Sequence, residues 1–91
     1  MAIILIPTAL RQYTDNLSEV SVGGINIREA LDELALKYAD LQKHLFTEKK
    51  TLRSFVNVYL NEEDIRELDS LDTLIKENDT IILVPSIAGG K

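Results

Sequence analysis

The stretch TIILVP, residues 80–85, decides the fold that the sequence predicts. Four consecutive aliphatic residues closed by a proline are typical of a β-strand. A strand with no polar face belongs in the interior of a sheet, because both of its faces must be covered. The stretch AIILIP, residues 2–7, has the same character. The sequence therefore predicts two interior strands, one near each end of the chain.

Two further strands and one helix are predicted between them. LSEVSV (17–22) and FVNVYLN (55–61) alternate apolar and polar residues, and RQYTDN (11–16) has the composition of a hairpin loop. Asn26, with Glu29 three residues later, predicts a helix N-cap with a capping box. The apolar residues behind this cap have helical spacing. They are Ile27, Ala30, Leu31, Leu34, Tyr38 and Leu41.

Two polar stretches complete the chain. QKHLFTEKKTLRS (42–54) is read as the end of the helix followed by a loop. It contains Lys49, Lys50 and Arg53, a basic cluster too small to indicate a nucleic-acid site. EEDIRELDSLDTLIKEND (62–79) is acidic, and its scattered apolar residues predict a short edge strand and a single helical turn.

The predicted order of elements indicates an α+β fold. The simplest way to bury the two interior strands is to place them side by side at the centre of one sheet. Their connection through the intervening elements makes them parallel, so the sheet is mixed, and a single main helix covers one face. This arrangement is the β-grasp, or ubiquitin-like, fold. An α+β sheet with another strand order fits the same pattern.

Composition excludes several functional classes. The chain has 91 residues, one histidine (His44) and no cysteine, so it offers no thiol nucleophile, thiolate metal site or histidine pair. We expect no catalytic residues, no metal site and no enzymatic activity. A formal net charge of −5 argues against nucleic-acid and anionic-membrane partners. No membrane span or export signal is evident, so we expect the cytoplasm.

The segment AGGK, residues 88–91, has no structural purpose in a domain. Glycine costs about 0.5–1 kcal/mol relative to alanine inside an element, so two glycines add no stability. Without a Cβ, however, the backbone can thread a narrow passage into another protein. We therefore predict a domain over residues 1–85 and a flexible C-terminal tail over residues 86–91. A frayed chain end is the alternative.

The whole chain resembles the ubiquitin-like sulfur carriers of the ThiS/MoaD type. The resemblance lies in IILIPTALRQYT (3–14), the helix NIREALDELALKYADLQKHL (26–45), FVNVYLN (55–61) and IILVPSIAGG (81–90). Within that family, IPTALR, FVNVYLNEEDIR and VPSIAGG are most similar to the branch that serves cysteine biosynthesis (the CysO type).

This resemblance implies a protein cosubstrate that partner enzymes activate. A ubiquitin-activating-like enzyme would use ATP to adenylate the carboxylate of Gly90, and sulfur would then replace the adenylate to give a thiocarboxylate. Gly89 would give a flexible approach, and Ile87 and Ala88 would guide the tail. In the cysteine branch, a PLP-dependent synthase would accept the sulfur and a metalloprotease would process the tail. The carrier itself would bind no cofactor.

Lys91 departs from the family pattern, because it leaves Gly90 as an internal peptide carbonyl. A peptidase could unmask Gly90, Lys91 could be left by the way the chain was produced, or the carrier role could have been lost. Two other functions stay open. One is the small subunit of molybdopterin synthase, and the other is a ubiquitin-like interaction module without sulfur transfer.

Strand FVNVYLN also predicts a partner-binding face. Its aliphatic residues suit packing under the helix, which places Phe55 and Tyr59 together on the opposite face. The last strand adds either Ile82 and Val84 or Ile81 and Leu83 to that face, and periodicity does not distinguish the pairs. The alternative is a loop or helix that covers the face.

Overall fold

The computed structural model describes residues 1–49, 51–53 and 56–85. It contains five β-strands and two α-helices, with three short 3-10 helices between them. The strands are β1 (Ala2–Leu5), β2 (Glu19–Val22), β3 (Val56–Leu60), β4 (Glu63–Asp64) and β5 (Thr80–Pro85), and the helices are α1 (Ile27–Lys37) and α2 (Ala39–Leu45). The 3-10 helices span Thr8–Tyr13, Ile65–Glu67 and Ser70–Asp72.

The strands form one mixed sheet in the order β2-β1-β5-β3-β4. Strands β1 and β5 are parallel neighbours, with Ile4 opposite Ile81, while the other three pairs are antiparallel. Strand β5 is central, and β1 lies beside it. The prediction that the two apolar strands lie side by side and parallel is confirmed, and so is the β-grasp fold.

The core lies between this sheet and the helices. One face of each long strand is buried, and the aliphatic set of β3 (Val56, Val58 and Leu60) faces the core as expected. Across from it, α1 buries Ile27, Ala30, Leu31, Leu34 and Ala35. Burying a side chain of the size of Leu or Ile is worth about 1.5–3 kcal/mol, so this apolar layer holds the sheet and helices together.

Helix α1 begins at the predicted cap. The Asn26 side chain accepts a hydrogen bond from the Glu29 N–H at 2.8 Å. The Glu29 carboxylate accepts in return from the Ile25 N–H at 3.2 Å, one residue before the position that a capping box predicts. The start of α1 is also hydrogen-bonded to a distant part of the chain: the Ile27 N–H donates to the Thr73 carbonyl at 3.0 Å.

The stretch predicted as one helix is two helices. Tyr38 adopts φ −129° and ψ 84°, which are not helical angles, and it separates α1 from α2. Leu41 and Leu45 of α2 are nevertheless fully buried. The apolar spacing therefore predicted the burial of Leu41 correctly. It could not predict the break at Tyr38, because both leucines of α2 lie in the core on the far side of the break.

Three connections also differ from the sequence prediction. The predicted hairpin loop between β1 and β2 contains the 3-10 helix Thr8–Tyr13, because Leu10 turns inward to the core. Strand β2 is shorter than predicted, and Leu17 lies outside it, 44% exposed. The acidic stretch forms the predicted short edge strand, but it is followed by two 3-10 turns instead of one helical turn.

Neither helix of the described chain has the length and apolarity that a bilayer span requires.

Candidate functional site

One row of side chains crosses all five strands on the face opposite the helices. Ladder pairing places Leu5 opposite Glu19 and Ile82, and Tyr59 opposite Ile82 and Asp64. All five side chains are partly or fully exposed. The row therefore has an apolar centre of Leu5, Ile82 and Tyr59 with a carboxylate at each end.

The same face carries a further apolar side chain nearer the end of β5. Val84 is 41% exposed and pairs with Asn57 of β3. Ile81 and Leu83, by contrast, are 0% and 2% exposed in the core. The structure thus resolves the ambiguity that periodicity left, since Ile82 and Val84 share the outer face with Tyr59. We call Leu5, Tyr59, Ile82 and Val84 the outer patch.

The predicted partner-binding set is only partly placed. Phe55 lies outside the described residues, as do Ile87, Ala88, Gly89, Gly90 and Lys91 of the tail. The last described residue is Pro85, whose ladder partner is Val56 at the start of β3. The described part of the chain therefore ends with the central strand, next to Val84 of the outer patch.

An ion pair lies at the β4 end of the row. The Arg66 guanidinium contacts the Asp64 carboxylate through both Nη2 and Nε, at 2.7 Å and 3.1 Å for the shortest contacts. The Arg66 backbone N–H also donates to Asp64 at 2.9 Å. These hydrogen bonds stabilise the carboxylate and lower the pKa of Asp64, and the same contact raises the pKa of Arg66.

The acidic stretch between Glu62 and Asp79 presents most of its carboxylates to solvent. Within the described ranges, no three His, Cys, Asp or Glu side chains come together as a metal would require. The lone histidine is half-buried, and its ring stacks on Tyr13 with centroids 4.2 Å apart. This stack joins α2 to the first 3-10 helix, which gives His44 a packing role.

Sequence reasoning missed an ordered turn in the predicted loop after α2. Phe46 and Leu52 form a β-bridge, and the Thr47 N–H donates to the Thr51 carbonyl at 2.8 Å. The two threonine hydroxyls are 2.9 Å apart. Phe46 and Leu52 were the available signal, because apolar side chains opposite each other on two arms stabilise a hairpin. We call the described residues of this segment, 46–49 together with Thr51 and Leu52, the basic turn, after Lys49.

Comparisons with known proteins agree with this geometry. The model of the ThiS family matches residues 4–90. The sulfur carrier protein CysO of Mycobacterium tuberculosis is 33% identical over 89 residues, covering 96% of each chain.

Solved structures give the same result. A chain in the crystal structure of the BexX/CysO complex of Amycolatopsis orientalis superposes with a TM-score of 0.89 and 33% identity, covering 99% of this chain and all of that one. Mycobacterium tuberculosis CysO superposes at 0.86 with 29% identity, covering 96% of this chain and 100% of that one. Small archaeal modifier protein 1 of Methanosarcina acetivorans superposes at 0.85 with 28% identity, covering 98% and 95%.

Proposed function

The chain belongs to the ThiS family, and we propose that it is a sulfur carrier, a protein cosubstrate that partner enzymes load and unload. The observation that carries this proposal is that the family match runs to Gly90 and stops before Lys91. Central strand β5 leads directly into that segment. A carrier needs this combination, because a firmly held strand positions an acyl end that must enter another protein.

The chemistry takes place at Gly90 after Lys91 has been removed. A carboxylate oxygen of Gly90 attacks the α-phosphate of ATP, and pyrophosphate leaves. A sulfide supplied by the partner then attacks the acyl carbon, and AMP leaves, which gives a thiocarboxylate. ATP belongs to the adenylating partner, and this chain binds no cofactor of its own. Gly89 lets the backbone approach closely, while Ile87 and Ala88 guide the tail.

The outer patch is the proposed docking face for the partner, together with Phe55. Exposed aliphatic and aromatic side chains next to the tail would contact the partner while the tail enters its active site. Strand β5 supplies Ile82 and Val84 to the patch and also bears the tail. Docking and delivery of the tail therefore depend on the same strand.

Cysteine biosynthesis is the pathway that the relatives support. Relatives with 33% identity are carriers of the CysO type. The proposed acceptor is a PLP-dependent synthase that uses the thiocarboxylate sulfur against an activated serine. A metalloprotease would process the tail. The cytoplasm remains the predicted compartment. The molybdopterin synthase subunit and the interaction module without sulfur transfer remain the alternatives.

Conversion of the tail in an extract of the source cells tests the proposal. The chain ending at Gly90, the chain with Lys91 and the Gly90→Leu variant ending at residue 90 are each incubated with ATP and a sulfur source. Intact mass spectrometry then measures the exchange of one oxygen for sulfur. We expect exchange in the first chain and none in the Gly90→Leu variant, whose circular dichroism should match that of the first.

The chain with Lys91 separates unmasking from loss of function. If the extract removes Lys91, this chain is converted after a delay. Conversion of the Gly90→Leu variant, or no conversion of the chain ending at Gly90, would contradict the carrier role. The protein recovered from its native cells should likewise lack Lys91.

A further inference from the structure

Three cations lie close together near the strand end that precedes the tail: Lys43 in α2, Lys49 in the basic turn and Arg53 just after that turn. Arg53 is fixed in position: its Nε donates to the Lys43 carbonyl at 2.7 Å, and its N–H donates to the Leu45 carbonyl at 2.8 Å. Its own carbonyl accepts from the Val56 N–H at 3.0 Å, and Val56 is the ladder partner of Pro85. Arg53 is therefore connected, through its hydrogen bond with Val56 and the Val56–Pro85 ladder pair, to the residue that precedes the tail.

Lys43 and Lys49 complete the group, which we call the tail-root cluster (Lys43, Lys49 and Arg53). Arg53 lines a concavity of about 560 Å³ with Thr47, Glu48, Lys49 and Thr51. It lines a second one, of about 240 Å³, that includes Lys43. Within residues 1–49, 51–53 and 56–85, none of the three cations forms an ion pair, even though Glu48 is adjacent. Their charges are available to another molecule.

Charge is distributed unevenly along the domain. The acidic stretch 62–79 has eight carboxylates and two cations, Arg66 and Lys76. It ends where β5 begins, and Asn61 and Asp79 meet there through a side-chain hydrogen bond of 3.3 Å. Arg53 of the tail-root cluster lies near the other end of β5, through Val56 and Pro85, and it also lines a concavity with Asp64 and Arg66. In a chain of net charge −5, three of the described cations without an ion pair are thus grouped near the end of β5 that precedes the tail.

We propose that the tail-root cluster docks on an acidic rim around the channel of the partner that receives the tail. This inference rests on the proposed function, and it names the chemistry of the partner surface. The cluster is fixed to the domain, and the five residues 86–90 span at most about 18 Å when extended. The reacting phosphate of ATP would lie at the far end of that span. We therefore expect the cluster to contact the partner's protein surface around the channel mouth and not the nucleotide.

A titration with an acidic probe tests the surface without any sulfur chemistry. The full chain, labelled with ¹⁵N, is titrated at low ionic strength with an oligoglutamate peptide, and amide shifts are recorded by NMR. We expect shifts at Lys43, Lys49 and Arg53. Lys43→Glu and Lys49→Glu should each weaken binding about three- to fivefold, the scale of one exposed ion pair. Lys76→Glu, the matched charge change at the acidic end, should alter it less than about twofold.

Three results would overturn the proposal: no shifts at the cluster, equal weakening by Lys76→Glu, or tighter binding of Mg-ATP than of the peptide at the same residues. The last result would assign the cluster to a phosphate ligand. Both lysines are exposed and their side chains make no hydrogen bond in the described chain, so these variants should fold.

The conversion assay separates this inference from the proposed function. In the chain ending at Gly90, Lys43→Glu and Lys49→Glu should slow sulfur exchange at low salt and make it less salt-dependent, because long-range attraction is screened by ions. Conversion at the unsubstituted rate would overturn the acidic rim while leaving the carrier role intact. If no chain is converted, the carrier role fails, and the peptide titration still decides the surface.

Discussion

Gly24 lies so close to Glu29 that a Cβ on Gly24 would be 2.7 Å from the Cβ of Glu29. It would also be 2.8 Å from the backbone nitrogen of Ala30. Neither atom can move away without shifting the first turn of α1. We therefore expect Gly24→Ala to lower the free energy of unfolding by about 1–3 kcal/mol, the usual cost of overpacking. Chemical denaturation measures this loss.

Gly23 is the matched control for that substitution. A Cβ on Gly23 would meet the Cε of Met1 at 3.3 Å, and Met1 is an exposed side chain that can move aside. Gly23→Ala should therefore change the free energy of unfolding by less than about 0.5 kcal/mol. Equal losses from the two substitutions would contradict the close approach at Gly24.

The cap at Asn26 predicts a second stability change. Asn26→Ala removes the acceptor of the Glu29 N–H, so we expect a loss of about 1 kcal/mol in the free energy of unfolding. Asn26→Ser keeps an oxygen at the N-cap and should retain most of the stability. Thermal or urea denaturation of the two variants checks this, and indistinguishable stabilities would show that the side-chain bond is not what holds the start of α1.

Docking through the outer patch predicts a functional loss without unfolding. Tyr59→Ala and Ile82→Ser truncate side chains on the face opposite the core, so the circular dichroism spectrum should persist. The initial rate of ATP-dependent sulfur exchange should fall about tenfold, the effect of losing an interface anchor worth somewhat over 1 kcal/mol. Leu74→Ser, on a side chain that is 68% exposed and outside the sheet, should leave the rate unchanged. A similar loss from Leu74→Ser would contradict docking by the sheet.

The contact between Asp64 and Arg66 predicts a pH dependence. The pKa of Asp64 is lower in the folded chain than in the unfolded one, where a free aspartate has a pKa of about 3.9. The contact therefore stabilises the fold above that pH, and its contribution is lost as the pH falls through the lowered pKa. NMR titration of the Asp64 carboxyl should show this low pKa in the folded chain.

Arg66→Ala should raise the pKa of Asp64 toward its ordinary value. The free energy of unfolding should then fall less steeply as the pH drops through the range in which Asp64 titrates. Arg28→Ala removes a different ion pair, with Asp72 at 3.1 Å, and should leave the Asp64 titration in place. An Asp64 curve that does not respond to Arg66→Ala would show that another group holds the carboxylate.

The sequence was most informative where burial forces a pattern. A strand without a polar face must lie in the interior of a sheet, and β1 and β5 are found there, side by side, as predicted. The identity of the outer residues of β5 could not be predicted, because Ile81, Ile82, Leu83 and Val84 are all aliphatic. Only pairing with β3, whose pattern does alternate, distinguishes the two faces.

Local backbone geometry was harder to predict than burial. The break at Tyr38 keeps Leu41 in the core, so the apolar spacing is the same with one helix or two. The sequence predicts only a loop where the basic turn lies, because the hydrogen bonds of this turn join Thr47 to Thr51, and composition does not show such pairing. The tail-root cluster depends on this turn, so its arrangement could not be inferred before the turn was seen.

The parallel pairing of β1 with β5 makes the order of folding part of how this protein works. Ile3 and Thr80 are ladder partners separated by most of the chain, so the central pair of strands closes only after nearly all of the sequence is available. A chain that stops before residue 80 cannot form this pairing, so it lacks the central strand of the sheet. Under the proposed function, the segment that partner enzymes load therefore follows the strand whose pairing requires almost the whole sequence.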